Sequence, residues 1–239
     1  MFDHVQRFDQ PQTIREAVRL LHAGEADTCL LAGGTDLVLR APRTVTTLVD
    51  ISRLGLDYIK RDGKKVRIGA TTTMSAVEQS ALLKALGNGI LSEAAANCGG
   101  LQTRNLATLG GNLANGSPAA DTAPPLLALD AEVVLQDLQG KRRVRLSEFF
   151  SGPHQTAASH SLLLEVVIPA VKPRTAFSLQ RLARTERDLA LVNVAVALQL
   201  DGRRRCTAAR GPCWWTWTRT RSTWTPPAWR RRSPSARKP

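Results

Sequence analysis

No run of apolar residues approaches the ~18 that a membrane-crossing helix needs, so no transmembrane segment is expected. The opening stretch, MFDHVQRFDQPQT, sets acids and polar residues where a secretory leader needs an apolar run. The cytoplasm is therefore the expected compartment. Cysteine is scarce and scattered: Cys29, Cys98, Cys206 and Cys213 lack the spacing of a disulfide framework or of a metal centre. Cys29 sits in the apolar run Cys29-Leu30-Leu31-Ala32 and Cys98 follows an alanine-rich segment, so both read as small buried hydrophobes. Acidic residues are absent from 203–239, a stretch holding eleven of the 33 Lys and Arg. With those eleven set aside, only +2 of the formal +13 charge remains for the first 202 residues. A nucleic-acid footprint needs basic residues spread on a folded surface, and this distribution argues against one.

All five tryptophans fall between Trp214 and Trp229, among Arg, Thr, Pro and Ser without helical or strand periodicity. A basic, aromatic tail for stacking and phosphate contact is one reading. The abrupt change just after Asp201-Gly202 favours another, a reading frame displaced near residues 203–213. On that reading the apolar segment 189–200 loses the hairpin partner it should have, leaving an open strand edge.

The 239 residues suffice for one large domain or two small ones. Thr13 and Glu16 have capping-box spacing and open a helix with Ile14, Ala17, Val18 and Leu21 on one face. Residues 28–32 read as a buried strand that runs into Gly33-Gly34-Thr35-Asp36, and 45–51 as a second strand. Residues 66–70 form another strand. Ser75 and Glu78 suggest a second capping box, opening a helix to about Ala85, and 90–98 is an alanine-rich helix. The polar, glycine-rich stretch 99–121 follows, then a compact apolar segment at 124–129. Residues 132–136 and 143–146 form a hairpin about Gln139-Gly140, and 162–168 a further strand closed by Pro169. Residues 177–180 and 189–200 begin an α/β or mainly β unit, with a soft boundary near 169–174.

Two segments carry the chemistry. Adjacent glycines after a buried strand, in Ala32-Gly33-Gly34-Thr35-Asp36, let backbone N–H groups turn toward an anion. A tight turn without ligand gives the same pattern. Neither the P-loop nor the GxGxxG spacing is present. Residues 102–121 concentrate hydroxyls, amides and glycines with few charges, which suits a closed pocket holding a diphosphate through neutral donors. Asp121, after a proline turn, is placed to accept from a ribose diol. Arg104 either faces the diphosphate or makes a structural salt bridge.

Ala32-Gly33-Gly34-Thr35-Asp36-Leu37, Ile68-Gly69-Ala70-Thr71-Thr72, and Gln102 with Arg104-Asn105, Ala107-Thr108-Leu109-Gly110-Gly111-Asn112-Leu113 and Ser117-Pro118-Ala119-Ala120-Asp121, together resemble the FAD-binding medium subunit of molybdenum hydroxylases. The resemblance covers roughly residues 1–202, and Arg184 with Asp188-Leu189-Ala190-Leu191-Val192 extends it into the family's C-terminal domain. It implies an α+β fold of the vanillyl-alcohol-oxidase type: an FAD-binding domain over 1–170, with subdomains of about 1–55 and 56–170 and FAD between them. Residues 175–202 would start an incomplete C-terminal α/β domain, and 203–239 would be the anomalous tail.

By the same resemblance, Ala32, Gly33, Gly34, Thr35 and Asp36 would bracket the pyrophosphate with Thr108, Gly110, Gly111 and Asn112, and Thr72 would lie nearby. Asp121 would bind the adenosine ribose, and Leu163 or a neighbour would pack on the adenine. Where the family often has a lysine near the isoalloxazine, this chain offers Gln180 or Arg181. No residue need act as acid or base, and His4, His22, His154 and His160 read as surface or core residues. The resemblance also implies partners: a large subunit with molybdopterin and a small one with two [2Fe–2S] clusters, arranged as a dimer of heterotrimers. Electrons would reach the FAD from those clusters and pass to NAD+, oxygen or a quinone-linked acceptor. A stand-alone FAD-dependent oxidoreductase and a basic-tail nucleic-acid-binding protein are the competing readings. The first lacks chain for a substrate domain, and the second rests on the tail alone.

Overall fold

A computed structural model of the chain describes residues 4–23, 27–40, 42, 44–185, 187–200, 204–211 and 216–220, the last two stretches as backbone. The N-terminal part is a three-stranded parallel sheet in the order β1-β3-β2, built from β1 (Arg7–Asp9), β2 (Thr28–Leu31) and β3 (Thr47–Asp50). Helix α1 (Ile14–Ala23) joins β1 to β2, and α2 (Thr35–Arg40) follows β2. The N-terminus of α1 is tied as its spacing suggests: Glu16 N donates to Thr13 Oγ1 at 3.2 Å, while Gln12 N donates to Glu16 Oε2 at 2.9 Å.

The larger part holds a five-stranded sheet in the order β4-β5-β10-β6-β7. Its strands are β4 (Ile59–Asp62), β5 (Lys65–Gly69), β6 (Glu132–Asp137), β7 (Gly140–Arg145) and β10 (Leu162–Ile168), antiparallel throughout. All seven residues of central β10 are buried, because cores lie on both faces. Leu162, Leu164 and Val167 join Ala17, Val18, Val49 and Ile51 of the small unit, whereas Leu163, Val166 and Ile168 join the helical core opposite. A register shift between Leu163 and Glu165 bulges the strand, so that Leu164 and Glu165 both turn to the first face.

The opposite face carries α3 (Met74–Gln79), α4 (Ala81–Lys84), α5 (Ile90–Ala96), α6 (Leu101–Leu106), α7 (Leu109–Asn115), α8 (Ala123–Ala128) and α9 (Leu146–Phe149). The helix expected from Ser75 starts earlier. Thr73 is its N-cap, accepting from Ala76 N at 3.2 Å, and Ser75 is buried, donating to Asn105 Oδ1 at 2.6 Å. It also ends earlier, because Ser80 turns extended and caps α4. The polar 99–121 stretch is not a continuous loop but contains α6 and α7. The apolar segment at 124–129 is α8, with its prolines in the first turn, where no N–H is missed.

β8 (Phe150–Gly152) and β9 (Gln155–Thr156) form a small hairpin. A four-stranded antiparallel sheet ends the described chain: β11 (Thr175–Leu182), β12 (Val192–Leu200), β13 (Arg204–Gly211) and β14 (Thr216–Thr220). This corrects two expectations. β12 has a partner after all, with Asn193 to Leu200 in register with Gly211 to Arg204. Among the described residues no helix follows α9, so of the two readings its residues allowed this unit is the mainly β one, and not the α/β domain the resemblance implies. Leu179, Ala195 and Ala197 add to the helical core. Most of the expected anomalous tail, residues 212–215 and 221–239, lies outside the described residues.

Candidate functional site

A cavity of about 1240 Å³ runs between the small α/β unit and the larger part, above the roughly 300–1,000 Å³ usual for drug-sized ligands. Its walls come from β2 and α2 on one side and from α7, β10 and the β8–β9 hairpin on the other.

The turn at residues 32–37 faces it with backbone. Among the described residues no acceptor is found for the N–H groups of Gly33, Gly34, Thr35, Asp36 or Leu37; the first internal bond of α2 is Val38 N to Gly34 O, 2.9 Å. Consecutive unspent amides on a cavity wall form a nest directed at an anion. Gly33 cannot be anything else here, since a Cβ would stand 1.8 Å from the Leu106 carbonyl oxygen. Gly34 adopts φ +71°, the left-handed conformation that costs glycine least.

The second glycine-rich segment reaches the same cavity with Thr108, Gly110, Gly111 and Asn112, yet its amides are spent. Leu109 N donates to Thr72 O and Gly110 N to Ala70 O, each at 2.9 Å. Gly111 N donates to Thr108 Oγ1 at 3.1 Å, and Asn112 N to Thr108 O at 3.0 Å. Gly110 lets α7 lie on β5's end, where a Cβ would meet Ala70 O at 2.7 Å. What this segment leaves open is side-chain chemistry. Among the described residues the Thr108 hydroxyl proton and the Asn112 amide nitrogen have no acceptor, while Asn112 Oδ1 accepts from Thr122 at 2.6 Å.

Thr72 is not on the cavity wall. It is buried, donates to Tyr58 O at 3.1 Å and pins the start of α7; Ala70 is the cavity-lining residue of its motif. Arg104 resolves to the structural alternative, 2.9 Å from Glu78 and donating to Gly99 O. Leu163, from β10, lines the cavity. Gln180 is exposed on β11 and does not, because the strand alternates and turns its neighbours Leu179 and Arg181 inward.

Asp121 lines the cavity and is only 5% exposed. Arg181 Nε donates to its Oδ1 at 3.1 Å, and Asn193 Nδ2 reaches its carbonyl at 3.3 Å and Oδ1 at 3.4 Å. Burial pushes its carboxyl up to about 6, with Arg181 pulling the other way. Cys98 also lines the cavity; burial first, then Asp121, lifts its thiol to about 12, so it stays protonated and inert at neutral pH.

His154, read from the sequence as a surface or core residue, is exposed and also stands on the cavity wall. It lines the cavity mouth, 3.0 Å through Nε2 from Arg40 Nη2 and 2.7 Å through Nδ1 from the Asn115 carbonyl. Asn115 Nδ2 in turn donates to Asp36 Oδ2 at 3.0 Å. Arg40 and His154 stand 114 residues apart, a pairing no local spacing announces. Among the described residues no group of three or more His, Cys, Asp and Glu could hold a metal ion, and no helix is long and apolar enough to cross a membrane.

Layers of helix and strand around a long cleft, with a row of anion-directed amides at one wall, define a nucleotide-cofactor-binding protein. Residues 4–171 match the family described as the FAD binding domain in molybdopterin dehydrogenase, and the chain belongs to it. It is 32% identical over 218 residues to the nicotinate dehydrogenase FAD-subunit of Eubacterium barkeri, covering 86% of this chain and 73% of that one. To the carbon monoxide dehydrogenase medium chain of Hydrogenophaga pseudoflava it is 32% identical over 201 residues, covering 82% and 69%. The solved carbon monoxide dehydrogenase of that organism lacking the Mo-pyranopterin moiety superposes with a TM-score of 0.83 at 30% identity, over 90% of this chain and 77% of that one. The chain thus has the fold of that FAD subunit, and is an oxidoreductase flavoprotein subunit of the molybdenum hydroxylase type.

Proposed function

We propose that the cleft between the two subdomains holds FAD, and that this chain is the electron-relay subunit of a molybdenum hydroxylase complex. The run of unspent amides from Gly33 to Leu37 on the wall of a 1240 Å³ cavity carries the reading. A diphosphate supplies the acceptors those amides lack, and the cavity has room for the rest of a dinucleotide. Ala32, Gly33, Gly34, Thr35 and Asp36 would hold the diphosphate from one side. Thr108, Gly110, Gly111 and Asn112 would close the other side with a hydroxyl, an amide and close-packed backbone. Asp121 would accept from a sugar hydroxyl, and Leu163 would give the adenine an apolar surface. Thr72 contributes by fixing α7. Gln180 is set aside as a flavin contact.

When bound, FAD would supply the redox chemistry of a relay between [2Fe–2S] clusters in a small partner and NAD+, oxygen or a quinone-linked acceptor. Substrate would be oxidised at molybdopterin in a large partner, in a dimer of heterotrimers in the cytoplasm. The polypeptide itself binds, orients and excludes water. We read its organisation as the vanillyl-alcohol-oxidase type, with an FAD domain to about residue 170, subdomains meeting near residue 55, and a C-terminal unit from 175. A displaced frame near residues 203–213 is our reading of the Trp- and Arg-rich tail, and it rests on composition alone, since β12 is paired.

Titrating the purified chain with FAD, FMN and ADP tests the assignment. Stoichiometric uptake of FAD, with visible flavin bands and with FMN far weaker, is expected. Folded chain that acquires no flavin spectrum from FAD overturns it.

A further inference from the structure

Arg181 lies on β11, outside the FAD-domain match of residues 4–171, yet its guanidinium reaches back 60 residues in sequence to the cavity wall. It is held in place: Nε donates to Asp121 Oδ1 at 3.1 Å and Nη2 to the carbonyl of Asp188, and both side chains of the ion pair are about nine-tenths buried. Asn193, 2% exposed on the neighbouring strand β12, donates to the same Oδ1 and to the Asp121 carbonyl. Both contacts to the carboxylate from the C-terminal sheet therefore fall on one oxygen. The other, Oδ2, takes no hydrogen bond among the described residues and is not among the sealed polar atoms, while the residue lines the cavity. A buried carboxylate with one oxygen locked and the other turned to a cavity is an acceptor prepared for a hydroxyl.

We propose that Arg181 is a positioning residue for cofactor uptake: it holds Asp121 ionised and oriented, with Oδ2 presented to a sugar hydroxyl, and so makes binding depend on the docked C-terminal sheet. This rests on the FAD reading above. The charge environment agrees with the geometry. Burial alone works against an ionised Asp121, and the opposing charge acting on it is Arg181. Around it, Asn193 faces it from β12 and is uncharged, while Cys98, at the end of α5, remains a neutral thiol. Asp36 of α2 and Arg104 of α6 act on Cys98 with opposite sign, and Arg104 is committed to Glu78. Asp188 turns its carbonyl to Arg181 and its carboxylate to Arg184, at 3.2 Å. Without Arg181, desolvation is unopposed and Asp121 protonates at higher pH, losing much of its strength as an acceptor.

The test is the pH profile of FAD affinity for the full chain, read by quenching of flavin fluorescence between about pH 5.5 and about pH 8.5. For the native chain the affinity falls as pH drops through about 6, where Asp121 protonates. Arg181→Gln moves that midpoint up by about one pH unit or more, and Arg181→Lys, which keeps the charge, leaves it within about half a unit. Asp121→Asn binds about tenfold more weakly and loses the acid-side fall altogether. Should Arg181→Gln not fold, judged by circular dichroism, the Arg181→Lys and Asp121→Asn profiles still decide. A native midpoint retained in Asp121→Asn, or a Lys variant whose midpoint moves by a full unit, overturns the proposal, as does a folded Gln variant with the native profile. FAD uptake by the native chain with those outcomes leaves the FAD reading intact. A native chain that takes up no FAD at any pH overturns both.

Discussion

The two glycine-rich segments look alike in composition and do opposite work. In residues 32–37 a strand ends, the chain turns through Gly33 and Gly34, and five successive amides are left without acceptors. In residues 108–116 the amides of Leu109, Gly110, Gly111 and Asn112 are consumed at once, by β5's end and by the Thr108 N-cap. The first segment offers backbone to a ligand. The second spends its backbone on fastening α7 to the sheet and offers side chains. Glycine serves both, but for different reasons. Gly33 and Gly110 permit close approach to a neighbouring carbonyl, whereas Gly34 supplies a left-handed turn.

The sharpest test puts proline at the first helical residue in each segment, where a proline ring is tolerated. Leu109→Pro deletes the donor to Thr72 O and a fully buried side chain. It should cost about 3–5 kcal/mol of stability, seen as a lowered midpoint in chemical denaturation. Thr35→Pro deletes an unspent donor. Its stability should stay within about 1 kcal/mol of native while FAD affinity falls about tenfold in a fluorescence titration. If the two substitutions exchange their effects, the division of labour is wrong.

A site that does not line the cleft separates stability from binding. Glu165, 4% exposed, accepts from Arg67 Nη2 at 2.7 Å and from the Tyr58 hydroxyl at 2.6 Å. Burial would raise its carboxyl, but the Arg67 and Tyr58 bonds outweigh that and hold it below the ordinary range. The Tyr58 hydroxyl is pushed up to about 12, by burial first and then by Glu165. A depressed acid stabilises the fold above its unfolded pKa of about 4.3, and that contribution is lost as pH falls through the folded value. Glu165→Gln should therefore cost about 2–3 kcal/mol at neutral pH, less than a fully buried pair because Arg67 is partly exposed, with the FAD affinity of the folded fraction unchanged.

Asp121 has the opposite sign. Its folded value of about 6 lies above the ordinary 3.8, so its contribution to the ligand-free fold is complete below the lower value and is lost as pH rises through the upper. Asp121→Asn should remove that part of the loss between the two values, seen as a smaller fall in the denaturation midpoint over this range. The smallest effect expected is that of Thr108→Ala. Losing the cap should cost about 1 kcal/mol in denaturation, with a smaller loss of FAD affinity than Thr35→Pro causes.

Much of the fold was legible because apolar spacing is local. The hairpin β6–β7 and the all-apolar face of β10 fall where residue pattern alone sets them. Element edges were less legible. Thr73 and Ser75 are equally good caps by composition, and only the packing that buries Ser75 against Asn105 decides between them. β13 was missed because an Arg- and Ala-rich segment has no alternation to read, and its pairing with β12 is a long-range register.

By itself the sequence determined the kind of cofactor pocket to look for, since glycine pairs, hydroxyls and Asp121 in that order carry the family's motifs and the chemistry of a held diphosphate. Only the tertiary structure decided which groups remain available. Hydrogen-bond capacity is spent or unspent according to what folds against it, so Thr72 went to the start of α7, Gln180 to the surface and Arg104 to Glu78. The same physics brought Arg181 and Asn193 from a distant sheet onto Asp121, and set His154 and Arg40 side by side at the cavity mouth.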